Sequence, residues 1–166
     1  MARKASAPRP AEPDDQFPLT QLVPLRLVIL ADVISRAATH VFEKRFDINN
    51  SQLRALFVLR EEQPLTMAEL SRRARIDKAW VSRSIDSLRK RGLVNRKAHP
   101  MDSRMTLISL TAEGVEMTRK LGPIAKERQR RLLTGLSEQE AFRVIEILER
   151  NANDLLINPG NSPGRS

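Results

Sequence analysis

The chain has 166 residues, no cysteine and a formal net charge of +9, with 40% hydrophobic, 30% charged and only 4% aromatic residues. That length suits one domain with its own core, and the composition fits a soluble, mostly helical protein better than a sheet-rich one. Without cysteine, disulfides, thiolate metal sites and cysteine-based redox sensing are excluded, and His40 and His99 match no metal-ligand spacing, so no metal or other cofactor is expected.

Residues 1–16 are rich in Pro, Ala and charge without periodicity, which predicts a disordered arm. The arm lacks the continuous apolar stretch of a signal peptide. The most apolar run, Leu22 to Ala38, is broken by Arg26, Asp32, Ser35 and Arg36, so a membrane span is not expected and a cytoplasmic location is.

From Leu22 to Phe46 the pattern is helical, with Pro24 where a first turn tolerates it. Leu25, Val28, Ile29, Val33, Ala37, Val41 and Phe42 share one face, and Leu22, Leu27, Leu30 and Ile34 widen it until the first half is apolar nearly all round. Such a helix needs cover on more than one side, which points to a second subunit. A second helix is predicted from about Ser51 to Glu62, after the turn formers Asp47, Asn49 and Asn50, and Gln63-Pro64 stops it.

Thr66-Met67-Ala68-Glu69 is a capping box, in which hydroxyl and carboxylate reciprocally satisfy the free amides of a helix start. The short helix that follows is joined by Arg75-Ile76-Asp77 to a further one over Asp77 to Gly92. In that second helix Val81, Ile85 and Leu88 recur at steps of four and three and face a core; Asp77 caps its start and Gly92 ends it in a left-handed conformation. Two helices joined by so short a turn form a helix-turn-helix. Leu93–Lys97 and Met105–Leu110 then read as two strands around a polar turn with a basic tip, a hairpin wing. A long helix opens at Thr111–Gly114 and runs to about Gly135, with a bend expected at Gly122-Pro123. Ser137–Glu140 is a second capping box, and the last helix runs to about Leu156. Residues 158–166 form a Gly-, Pro- and Ser-rich tail.

Charge is concentrated where this pattern is densest. Residues 64–110 hold eleven Lys and Arg against four Asp and Glu, the footprint of a polyanionic partner, with nucleic acid favoured over a membrane surface. Double-stranded DNA suits the geometry, because a major groove admits one helix. Lys78, Ala79, Ser82 and Arg83, in the first two turns of the second helix of the pair, are the candidates for base edges, and Arg83 leads because a guanidinium matches guanine O6 and N7. Ser71, Arg72 and Arg73 are placed for phosphates. On the wing, Arg104 suits the narrow minor groove, with Asp102 fixing the hairpin or orienting that arginine, and Arg96 and Lys97 are set against either phosphate or solvent. Trp80 is expected to pack beside the helix pair. No phosphate loop, nucleophile elbow or metal cluster occurs, so an enzyme is not expected. The alternative to a sequence-specific regulator is a non-specific or architectural nucleic-acid-binding protein without an effector.

The motifs L-R-A-L-F-V-L, L-T-M-A-E-L-S-R-R-A-R-I-D-K-A-W-V-S-R-S-I-D-S-L-R-K-R-G-L-V-N-R, D-S-R-M-T-L-I-S-L-T-A-E-G and L-L-T-G-L-S-E-Q-E, in this order over about residues 22–156, resemble the MarR family of transcriptional regulators. The resemblance implies a mainly α fold with a small β-hairpin wing. It divides 17–157, taken as a single domain, into a winged helix-turn-helix core at about 51–110 and long dimerisation helices at about 22–46 and 112–156. It further implies a homodimer that binds a palindromic operator, usually as a repressor, with the recognition helix at Asp77 to Arg91 and the wing at Asp102 and Arg104. Ser103 departs from the basic residue that many relatives carry, which implies a lower wing affinity. Family members commonly release DNA when a small anion, often an aromatic acid or its thioester, binds between the dimerisation helices and the winged domain. By position Arg36, His40, Arg54 and Phe57 line such a pocket; the alternatives are a core histidine for His40 and a surface ion pair for Arg54.

Overall fold

The structure, a computed structural model, describes residues 18–102 and 104–157; the expected arm and tail, and Ser103, lie outside the described residues. The chain divides into two compact units, one up to Gly114 and one from Val115 onward.

In the first unit a short 3₁₀ turn, Leu19–Gln21, leads into α1 (Val23–Phe46), with Pro24 in the first turn, where an amide hydrogen would have no intrahelical partner. α1 ends on Asp47, held in the left-handed region at φ 52°, with the Asp47 amide donating to the Glu43 carbonyl at 2.8 Å and the Ile48 amide to that of Phe42 at 3.2 Å. Asn49 and Asn50, expected only as turn formers, have more specific roles. Asn49 caps α2 (Asn50–Glu61) in a capping box, its side chain accepting from the Gln52 amide while the Gln52 side chain accepts from the Asn49 amide, both at 2.9 Å. The side chain of Asn50, inside the helix, donates to the Ser35 hydroxyl of α1 at 3.0 Å.

The expected capping box at Thr66 is present: its amide donates to the Glu69 carboxylate at 2.8 Å and its hydroxyl accepts from the Glu69 amide at 3.2 Å, opening α3 (Met67–Ala74). α4 (Lys78–Lys90) starts on the Asp77 carboxylate, which accepts from the Ala79 amide at 2.8 Å. It stops at Gly92, where φ is +70°; the Gly92 amide reaches the Arg89 carbonyl and the Leu93 amide that of Leu88, both at 2.9 Å. This is the crossed pair of bonds that lets a helix end within one residue.

The hairpin is larger than expected. β2 (Val94–Ala98) and β3 (Thr106–Leu110) pair antiparallel, with Arg96 opposite Ile108. A third strand, β1 (Leu65–Thr66), pairs with the other edge of β3 through Leu65–Ile108 and Thr66–Leu107, giving the order β1-β3-β2. The Gln63 side chain extends this edge by accepting from the Leu110 amide at 2.6 Å. The wing is therefore anchored to the segment before α3 as well as to the end of α4. Leu56, Leu59, Leu70, Ile85, Leu88 and Ile108 are fully enclosed and join α2, α3, α4 and the sheet around one core; each contributes about 1.5–3 kcal/mol by leaving water. Gly114 packs so closely on the chain that a Cβ there would lie 2.0 Å from the Leu93 carbonyl oxygen.

α5 (Ala112–Leu132) begins in the first unit and continues through Pro123 as one helix. In the second unit α6 (Glu138–Ile157) opens on the expected capping box, the Ser137 hydroxyl donating to the Glu140 carboxylate and accepting from the Glu140 amide. The Ser137 hydroxyl and, as the smaller cause, the Ser137 amide, which donates to the same carboxylate at 3.1 Å, hold the Glu140 carboxyl below its ordinary range. No helix among the described residues is long and apolar enough to cross a membrane.

Candidate nucleic-acid interface

The interface is built on the turn between α3 and α4. Arg75 adopts a left-handed conformation at φ 51°, and three side chains fix the turn around it. The Ser71 hydroxyl donates to the Ile76 carbonyl at 2.6 Å, the Arg54 guanidinium donates to the Arg75 carbonyl at 2.5 Å, and Asp77 caps the next helix. Burial among these groups lowers the Arg54 pKa from its ordinary value. Ile76 is buried beneath the turn. Behind α4, the buried Gln52 donates to the Ser87 hydroxyl at 2.9 Å, a polar strut from α2.

With Val81, Ile85 and Leu88 buried, the 100° step of a helix turns Ala79, Ser82, Arg83, Asp86 and Lys90 to the opposite side, with Lys78 on one margin and Trp80 on the other. Lys78, Ala79 and Arg83 are exposed and Ser82 half-buried, so the four expected base-reading residues share one outward surface. Trp80 corrects the expectation. It is 56% exposed, and the Arg83 guanidinium lies over its ring, 4.3 Å from the centroid. Its apolar character suggested a core role, but it stands one residue out of phase with the buried stripe.

Of the residues expected at phosphates, Arg72 is exposed, whereas Ser71 is bonded within the turn as above and Arg73 pairs with Glu62 at the end of α2. On the wing, the Asp102 carboxylate accepts from the Arg104 amide at 2.9 Å and its carbonyl from the Met105 amide, also at 2.9 Å. Asp102 thus fixes the hairpin through the backbone of Arg104 and leaves the Arg104 side chain exposed. Lys97 is exposed too. Arg96 is half-buried and pairs with Asp86 of α4 at 2.9 Å, and its Nε is buried without a partner among the described residues. It ties the wing to α4.

Of the four residues expected at an effector, Arg36 and His40 lie one turn apart on α1, and Arg54 and Phe57 lie three residues apart on α2. Arg36 pairs with Asp32 at 2.8 Å on the open face of α1. His40 is exposed rather than a core histidine, 3.1 Å from the Lys44 ammonium, while Phe57 of α2 is half-buried. The Arg54 guanidinium donates to the Arg75 carbonyl, in place of the surface ion pair set as its alternative.

Arg91, the residue that ends α4, has a role no local pattern signals. Its guanidinium donates to the Phe46 carbonyl at 2.8 Å and to the Asp47 carbonyl, neutralising the negative end of α1. In the run Arg89-Lys90-Arg91 only the depth of the third residue, half-buried where its neighbours are exposed, distinguishes it.

A profile of the MarR family matches residues 46–105. The HTH-type transcriptional regulator YdgJ of Bacillus subtilis is 31% identical over 117 residues, 69% of this chain and 70% of that protein. The chain belongs to the MarR family. Two solved MarR-type folds superpose on most of it: S. aureus MepR in complex with DNA, at a TM-score of 0.71 and 24% identity over 80% of this chain and 98% of that one; and Bordetella bronchiseptica BpsR, whose DNA binding is regulated by 6-hydroxynicotinic acid, at 0.73 and 20% over 82% and 96%. As a MarR-family member the chain is a DNA-binding transcriptional regulator with a winged helix-turn-helix fold, and not an enzyme.

Proposed function

We propose that this regulator is a homodimeric, sequence-specific repressor that works in the cytoplasm and is released from a palindromic operator by a small aromatic acid or its thioester. The observation that carries the reading is the outward surface of α4, where Lys78, Ala79, Ser82 and Arg83 stand together in front of a helix held rigidly from behind by Gln52 and Arg91. A helix presented in this way fits a major groove. Arg104 and Lys97 on the wing and Arg72 on α3 supply accessible cations for the flanking backbone and minor groove. Ser71, Arg73 and Arg96 serve the architecture first, as their bonds within the chain indicate.

The apolar first half of α1 supports the dimer. Val28 is 67% and Ile29 51% exposed, and a soluble chain covers so continuous a stripe with another copy of itself. In this reading residues 17–157 act as one MarR-type domain, with 22–46 and 112–156 joining the subunits. The ligand reading draws on the regulation of BpsR by an aromatic acid. Arg36, His40, Arg54 and Phe57 are the residues proposed to meet such an anion, the first three as cationic or hydrogen-bonding anchors and Phe57 as an apolar wall.

Selection of genomic fragments on the full chain, followed by anisotropy titration at moderate salt, tests the function. The expected outcome is an inverted repeat whose half-sites lie about 34 Å apart, one turn of duplex. Arg83→Ala relaxes preference at one base pair of each half-site, a loss of about 1–3 kcal/mol of discrimination. Equal affinity for all fragments would instead identify the non-specific alternative.

A further inference from the structure

We propose that Trp80 is a positioning residue for Arg83, and that the indole–guanidinium stack on α4 sets which base this regulator reads. The inference rests on the proposed base-reading role of Arg83 and deepens it.

Trp80 is the only tryptophan in the chain, and it lies at the margin of the surface that faces outward from α4, more than half exposed. A large aromatic residue in that position is unfavourable for a helix that only needs to be soluble, since its apolar faces remain in water. One of those faces is covered by the Arg83 guanidinium, 4.3 Å from the ring centroid and three residues further along the same helix. Among the described residues Arg83 has no ion pair, so the indole is its contact, whereas Arg73, Arg91 and Arg96 are each held by a carboxylate or a carbonyl.

The two recognition modes of arginine do not compete here. A cation–π stack uses the flat face of the guanidinium, and a bidentate bond to guanine uses its edge. An arginine stacked on a ring therefore keeps its donors available while losing the side-chain rotations that a free arginine must give up on binding. The ring also fixes the plane in which those donors lie, and so which base-edge pattern they can meet. As DNA excludes water from this surface the stack strengthens, because a cation–π contact gains when it is desolvated. An aliphatic residue at position 80 would leave Arg83 charged and long enough to reach DNA, but free to move between a base and the nearest phosphate.

The test uses the full chain and an operator duplex obtained by selection with the unaltered protein, resynthesised with 7-deazaguanine at one guanine at a time. That base lacks the N7 acceptor and is otherwise guanine. In the unaltered protein one guanine per half-site is expected to show a loss of about tenfold in affinity on replacement, and Arg83→Ala abolishes that sensitivity. Trp80→Leu and Trp80→Gln both reduce the penalty to about twofold or less, with phosphate-driven affinity for bulk DNA unchanged, whereas Trp80→Phe, which keeps a ring, retains most of it. Because the side chain is largely exposed, melting temperatures of these variants stay with that of the parent. A full penalty in both Trp80→Leu and Trp80→Gln overturns the inference and leaves the role of Arg83 standing. An unaltered protein indifferent to 7-deazaguanine at every position overturns both.

Discussion

The region from Phe42 to Gly114 and the apolar helices outside it solve the burial problem in opposite ways. In the first, α2, α3, α4 and the sheet enclose a shared core, and polar groups at its margin bond within the same region: Gln52 with Asn49 and Ser87, Ser71 with Ile76, Arg54 with Arg75, Arg91 with Phe46. In the second, α6 leaves Phe142 and Val144 more than half exposed, and the first half of α1 does the same with Val28 and Ile29. Both regions carry apolar stripes. What separates them is whether the chain itself supplies the covering surface, and the contrast teaches that the winged helix-turn-helix closes its own core while the helices keep apolar faces open, as the proposed second subunit requires.

The largest effect that would break this contrast is expected in the core. Leu88→Ala removes a fully enclosed side chain between α4 and its neighbours and costs about 2–5 kcal/mol of stability, read by chemical denaturation. A change of less than about 1 kcal/mol would mean that the region is loosely packed after all. Next comes Ile29→Asp on the open face of α1, which introduces a charge into the proposed subunit contact. Sedimentation should show a dimer weakened at least about a hundredfold, roughly 2.7 kcal/mol, with helical content retained at high concentration; an unaltered dimer would show that this stripe is not its interface.

Smaller effects sharpen the picture at helix starts. Thr66→Ala removes the cap of α3 and costs about 1 kcal/mol, measurable as a lower thermal midpoint. Its partner Glu69 gives the smallest effect and a pH signature. The Thr66 amide and hydroxyl, with Arg72 and His99 adding smaller charge effects, hold the Glu69 carboxyl below its ordinary range. A carboxyl depressed in the folded state contributes stability above its unfolded pKa, about 4.3, and loses it as pH falls through the lower folded value. The difference in stability between the parent and Glu69→Ala should therefore be constant near neutrality and close on acidification below about pH 4. A gap that widens in acid would contradict the capping assignment.

Much of this is legible in the amino-acid sequence. Both Ser/Thr capping boxes, the cap at Asp77, the left-handed stop at Gly92 and the buried stripe of α4 follow from local chemistry, in which a few neighbouring residues determine the outcome. Two failures have a common cause, since each depends on a partner distant in sequence. β1 is two residues long, too short for periodicity to register, and exists because Leu107 and Ile108 offer an edge some forty residues later. Arg54 and Arg91 looked like ordinary surface cations, and only the fold brings the Arg75 and Phe46 carbonyls to them. Trp80 is a different case. Its exposure followed from the same helical phase that identified Val81, Ile85 and Leu88, and reading it by hydrophobicity alone obscured that. Asn49 was legible as well, since Asn-x-x-Gln is a variant of the pattern recognised at Thr66.

Arg91 grips the last carbonyls of α1 from the final turn of α4, and so the two rods share a hinge pin. α2 adds two further ties, from Asn50 to Ser35 of the long rod and from Gln52 to Ser87 of the shorter one, so loss of this single guanidinium would loosen the joint without parting it.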